Sequence, residues 1–139
     1  MDITPGLTGS AVLIVGEEHT APRVGSGKIH VLATPVMINL IEAAALAALQ
    51  KAADREDATE KHVVTPGPLI PAREVLAYVV LDEGDAVTAL RHFESVLRRE
   101  PNRQRAFVGA LRAARQAGNT KKVDFYAGRL AQLTSRADR

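Results

Sequence analysis

The sequence predicts an α+β chain that is mostly helical: a short N-terminal antiparallel β-ribbon with one buried helix, followed by two helix pairs. Three observations carry that expectation. β-Branched residues cluster in short runs before residue 33, the stretch after Pro35 is apolar almost all the way round, and from Pro71 onward apolar residues recur at helical spacing. The change falls at Pro66-Gly-Pro-Leu-Ile-Pro71, which admits neither regular helix nor central strand. Residues 1–65, 66–71 and 72–139 are therefore expected as a first segment, a linker and a helical segment.

Ala11-Val-Leu-Ile-Val15, set between Gly9 and Gly16, reads as a strand, and Lys28-Ile-His-Val-Leu-Ala33 as a second. Glu17 to Arg23 is polar and holds Pro22, so it is a loop or at most an edge strand. Thr34-Pro35 marks a helix start, with Thr as N-cap and Pro at the first helical position. The helix runs from Val36 through Gln50 to about Asp54, and its lack of a polar face asks for cover on most sides. His62-Val-Val-Thr65 reads as a further short strand. Val75, Leu76, Val79 and Val80 then share a helix face that stops at Gly84. Ala89, Leu90, Phe93, Val96 and Leu97 share the next, before Pro101. Helices over Arg103 to Gln116 and Thr120 to Leu133 follow.

A chain of 139 residues supports one ordinary core, and 46% hydrophobic with 24% charged residues is a folding composition, which excludes wholesale disorder. The absence of cysteine excludes disulfides, thiolate metal sites and a Cys nucleophile, and fits a reducing, cytoplasmic location. The opening residues carry neither the basic nor the apolar region of a signal peptide. The longest apolar stretch, Val36 to Leu49, is shorter than the roughly 20 residues of a membrane span, so no membrane partner is expected. Charge is uneven. Residues 1–66 carry 5 Lys/Arg against 8 Asp/Glu, and residues 67–139 carry 13 against 8, so the basic excess lies in the helical half.

Gly84 and Gly118 stand 34 residues apart at equivalent turns. With Leu76, Ala77, Ala89, Phe93 and Pro101 at matching spacings, the segment Leu81 to Asn102 resembles a tetratricopeptide repeat, with a weaker second copy in which Val123 replaces a small residue. That resemblance implies a helical surface that binds a peptide or protein partner.

Thr34 at the helix mouth and Glu42 in its middle lie about 80° apart on neighbouring faces, and a carboxylate on so apolar a helix needs an explanation. Pro5 to Gly16, together with Val31-Leu-Ala-Thr-Pro-Val-Met-Ile-Asn-Leu-Ile-Glu-Ala-Ala-Ala45, resembles the opening of hotdog-fold acyl-CoA thioesterases of the fluoroacetyl-CoA thioesterase-like family. The resemblance covers the chain to about Lys51. It implies thioester hydrolysis of an acyl-CoA by Thr34 and Glu42 with a His from a following strand, for which His62 is the candidate, and it implies a homodimer. The strands that would wrap the helix do not follow in the sequence. Other readings of the same residues are Thr34 as N-cap, and Glu42 facing solvent or pairing with an Arg of the helical half.

Arg98, Arg105, Arg112 and Arg115 are the candidate partner-binding residues, their alternative being a solvated helix face. Stacking aromatics are not interleaved with the basic residues, so no nucleic-acid partner is expected. His19, His30 and His92 lack metal-ligand spacing, Gly25-Ser-Gly-Lys28 lacks the strand and helix of a phosphate loop, and no cofactor is implied. The expected function is a non-catalytic interaction or scaffold module, with acyl-CoA thioester hydrolysis as the alternative and a chimeric gene without evolved activity as a third.

Overall fold

Two glycine turns divide the helices of the C-terminal half. The computed structural model describes residues 6–59 and 69–137. Its elements are a 3-10 turn at Glu17–His19 and helices α1 (Ala21–Val24), α2 (Thr34–Ala58), α3 (Ala72–Asp82), α4 (Ala86–Arg99), α5 (Gln104–Gln116) and α6 (Thr120–Ala137). Gly84 (φ +95) and Gly118 (φ +66) adopt the left-handed backbone that side chains disfavour. The amides of Asp85 and Asn119, just beyond, return to the carbonyls of Val80 and Ala114. The next side chains then cap the following helices: Asp85 Oδ1 accepts the Thr88 amide at 3.0 Å, and Asn119 Oδ1 accepts that of Lys122 at 3.1 Å. The bond from Thr88 holds the Asp85 carboxyl below its usual range.

α3 starts differently. Its first amide, Ala72, donates to both carboxylate oxygens of Glu56 at 3.1 Å, so the last turns of α2 supply the cap. Contacts in the chain cluster into two units that divide between Lys51 and Ala52, within α2, and Glu56 belongs with the helical unit.

In that unit α3 packs on α4, α4 on α5 and α5 on α6, and α3 also touches α5. The buried residues of these helices are Leu76, Ala77, Val80 and Leu81 on α3, Ala89, Phe93 and Val96 among those on α4, and the small face Ala106, Ala110, Ala113 and Ala114 on α5. Gly109 explains how closely α4 approaches α5. A Cβ there would lie 2.3 Å from Cε1 and Cζ of Phe93, so the ring occupies the space of the missing side chain. The edge of Tyr78 closes over Phe93 at 4.9 Å.

Glu74 is fully buried and charged, a state that costs several kcal/mol unless compensated. Arg103 Nε bonds to Glu74 Oε2, and Arg105 Nε lies 2.9 Å from Oε1. The latter is an ion pair without hydrogen-bond alignment, because Oε1 has no hydrogen-bond partner. Arg103 also reaches Glu100 Oε2 at 3.1 Å and the Leu69 carbonyl at 3.0 Å.

The N-terminal unit corrects the expected fold class. Among the described residues there is no β-strand, and the only pairing is an isolated bridge between Thr20 and Leu32. The protein is all-α as described, without a β-ribbon. Lys28–Ala33 is bent back on α1, with the Ala21 amide on the Val31 carbonyl and the Ala33 amide on that of His19, both at 2.9 Å. Among the described residues Ala11–Val15 finds no backbone partner, and β-branched residues without a paired backbone do not make a sheet. His62–Thr65 lies outside the described residues, as does the first half, 66–68, of the expected linker at 66–71. The expected buried helix is also corrected. α2 has one buried residue, Ala53, and is long and apolar enough to cross a membrane by length and composition. Without a sheet to wrap α2, the hotdog and thioesterase resemblance fails. The tetratricopeptide likeness reduces to consecutive helix packing around two equivalent turns.

Three outcomes follow from this packing. Gly109→Ala gains up to about 1 kcal/mol of helix propensity but forces the Phe93 ring to move, at about 1–3 kcal/mol. A net loss in urea unfolding is expected, and the double variant with Phe93→Leu should lose less than the sum of the two single losses. Additive losses would refute the contact. Arg103→Leu strands the buried carboxylate, whereas Glu74→Met leaves two guanidiniums that reach solvent. Arg103→Leu should therefore cost more, about 3 kcal/mol or above, and the reverse order would contradict the assignment. Finally, His92 lies 3.3 Å from Arg73 Nη1, and burial first, then the charges of Arg73 and Arg91, push its imidazole below the ordinary value. The folded chain thus binds this proton less readily than the unfolded one. Its contribution to stability is complete above about pH 6.5 and is lost as pH falls from there toward the depressed folded value. The urea midpoint should drop between pH 7.5 and 5.5 by less in His92→Asn than in the wild type.

Candidate partner-binding groove

α6 carries two adjacent aromatics, and neighbours on a helix point about 100° apart, so both cannot face the core. Tyr126 is buried, and Phe125 is left 58% exposed. The Tyr126 ring tilts against Phe107 at 6.2 Å and meets Phe125 edge-on at 5.1 Å. Its hydroxyl donates to Glu94 Oε1 at 2.8 Å, and Lys122 Nζ reaches the same oxygen at 2.5 Å. Burial, then the bond to Glu94, raises the phenol well above its ordinary pKa and keeps it a hydrogen-bond donor.

These residues form one wall of an open groove of about 460 Å³, completed by Leu97 and Arg98 of α4, Pro101 and Phe107, with Arg129 of α6 at the rim. Arg129 places its guanidinium 5.7 Å from the Phe107 ring centroid and donates to Gln132 Oε1 at 3.1 Å. Neither Arg98 nor Arg129 has a carboxylate partner among the described residues. The only acid in the groove, Glu94, is engaged by Lys122 and Tyr126. The result is an apolar floor flanked by two uncompensated positive charges.

The four arginines singled out in the sequence do not share a surface. Arg98 lines the groove. Arg105 and Arg112, two turns apart on α5, face α3 instead. Arg105 pairs with Glu74 and lies 5.2 Å from the Tyr78 ring centroid, while Arg112 Nη2 bonds Asp82 Oδ1 at 3.0 Å. Arg115 is exposed, without an ion pair among the described residues, and does not line the groove. Sequence reasoning missed Phe125, Tyr126 and Arg129, although the adjacent aromatics on an amphipathic helix are a usable signal.

Thr34 and Glu42 are both exposed side chains of α2. The Met37 amide bonds to the Ala33 carbonyl at 3.1 Å, so Ala33 is the N-cap and Thr34, expected as the cap, is the first residue of the helix. No hydrogen bond or ion pair of either side chain exists among the described residues. His62 falls outside the described residues. His19 Nδ1 accepts the Gly16 amide at 2.9 Å, and His30 is exposed.

Compared with protein-family models, with curated proteins and with solved structures, the chain has no match.

Proposed function

We propose that this chain is a protein-interaction module whose groove between α4, α5 and α6 takes an acidic, apolar segment of a partner protein. The single observation that carries the reading is the pairing of an exposed aromatic, Phe125, with two guanidiniums that lack a carboxylate, Arg98 and Arg129, around an apolar floor. Aromatic and Arg side chains dominate binding energy where they can be desolvated together. Positive charge left uncompensated at the rim favours an acidic partner and speeds its approach. Six other cations of the helical unit are already engaged: Arg73 by Asp54 and Asp57, Arg99 by Asp57, Arg103 and Arg105 by Glu74, Arg112 by Asp82, and Lys122 by Glu94.

The probe is a synthetic amphipathic peptide with Leu and Phe at positions i, i+3, i+4 and i+7 and Glu elsewhere, followed by fluorescence anisotropy against the full chain. Phe125→Ala should weaken binding about 5- to 30-fold, as should Arg98→Glu with Arg129→Glu, while circular dichroism stays unchanged. Affinity should fall as salt rises. Equal binding of a peptide with Lys in place of Glu, or indifference to Phe125→Ala, would remove the proposal. Arg105→Glu is a poor test, because it places a second carboxylate beside buried Glu74.

A further inference from the structure

We infer that the segment Leu7–Val15 becomes a strand by pairing antiparallel with the same segment of a second copy of this chain. Exposure alternates residue by residue from Leu7 to Ile14, with odd positions partly covered and even ones open, which is the two-residue period of an extended chain. Val12 and Ile14 are 90% and 89% exposed. The segment lies tight on α2: a Cβ at Gly9 would fall 1.9 Å from the Ala44 carbonyl oxygen and 2.5 Å from the Ala48 amide nitrogen. Side chains thus meet the helix on one face, while the backbone is left without partners. From Leu7 to Val15 no backbone amide or carbonyl makes a hydrogen bond among the described residues. A row of free donors and acceptors on an apolar segment is a template for another strand.

Two features select a second copy as the occupant. First, Leu7 to Gly16 contains no charged residue and no proline, so it lacks the devices that keep edges apart and offers a charged partner nothing to recognise. Antiparallel pairing about a twofold axis at Leu13 sets Ala11 opposite the copy's Val15 and Val12 opposite its Ile14, so each apolar residue of the run meets another. Second, the unit exposes apolar surface in the amount that a dimer interface uses. The unit also exposes Ile29, Ile41, Ile38 and Met37 by 73%, 61%, 47% and 45%. At roughly 100 Å² per aliphatic side chain, its exposed apolar surface is on the order of 500 Å². A standard interface buries about 800 Å² per partner, somewhat over half of it apolar, which is the same quantity.

The test is sedimentation velocity of the full chain over about 1–100 μM. The expected result is a monomer–dimer equilibrium that Val12→Pro combined with Ile14→Pro shifts at least 10-fold toward monomer. These positions are exposed and their amides unbonded, so helix content and the urea midpoint of the helical unit should be unchanged. Because the chain has no cysteine, Val12→Cys with Ile14→Cys reads the register, and the dimer should cross-link through these sites under mild oxidation. Arg98→Glu with Arg129→Glu should leave the dimer intact, which separates this inference from the peptide groove. A wild-type monomer at 100 μM overturns the inference, as does a dimer indifferent to both prolines. So does a chain that stays monomeric in solution and instead floats with phosphatidylcholine vesicles.

Discussion

A carboxylate cut off from water is the constraint around which the helical unit is arranged. Glu74 sits in the first turn of α3, and its compensating cations come from the start of α5, Arg103 just before the helix and Arg105 in its first turn. Ionic pairing therefore ties α3 to α5 across sequence, and α4 has to lie between or beside them. Tyr78 strengthens the same seam, its hydroxyl on the Arg105 carbonyl at 2.9 Å and its ring against Phe93. Burial, then the neighbouring Glu74 charge, raises the Tyr78 phenol, so it too serves as a neutral donor. With α3 and α5 fixed, Phe93 has one place to go, and only a residue without a Cβ at position 109 gives it room.

What the sequence made legible in this unit was local chemistry. Gly84 and Gly118 declare turns because a positive φ is cheap only for glycine, and the structure adds Asp85 and Asn119 beside them as caps whose short side chains reach an amide three residues on. Such signals need no knowledge of the rest of the chain. Glu74 was not legible in the same way. Its partners lie 29 and 31 positions later, and no periodicity distinguishes a buried glutamate from a solvated one. For the same reason Arg105 and Arg112 looked like surface charges. A guanidinium's availability depends on which carboxylate the fold brings to it, and that is a tertiary fact.

The N-terminal unit misled sequence reasoning through the opposite error. Ala11–Val15 and Lys28–Ala33 have strong strand composition, but strand propensity measures fit to a pleated surface already supplied by neighbours. Here Gly16, the turn at Glu17–His19 and the short α1 direct the chain so that only Thr20 and Leu32 meet. The two runs never align. α2 departs from its expected environment for a related reason. The sequence predicts an apolar helix covered on most sides, but cover has to come from elements that exist, and its apolar residues Met37, Ile38 and Ile41 stay open.

Ion pairing decides which cations of the helical unit a partner can meet. A surplus of positive charge in residues 67–139 does not make a basic surface, because ion pairs remove cations one at a time from the pool that a partner could meet. Pairs that are well buried remove them completely, as Arg103 is removed by Glu74. Exposed pairs such as Arg112 with Asp82 are worth little and remove them only in part. What matters for recognition is where the remainder falls. Arg98 and Arg129 line the same groove as Phe125, where apolar contact can exclude water and lower the local dielectric, and a charge of fixed size then acts more strongly than it would on an open helix face. Arg115 is equally free but has no apolar floor beside it. The same guanidinium group thus becomes a recognition element in one place and a solvated charge in the other, by its distance from exposed aromatic surface.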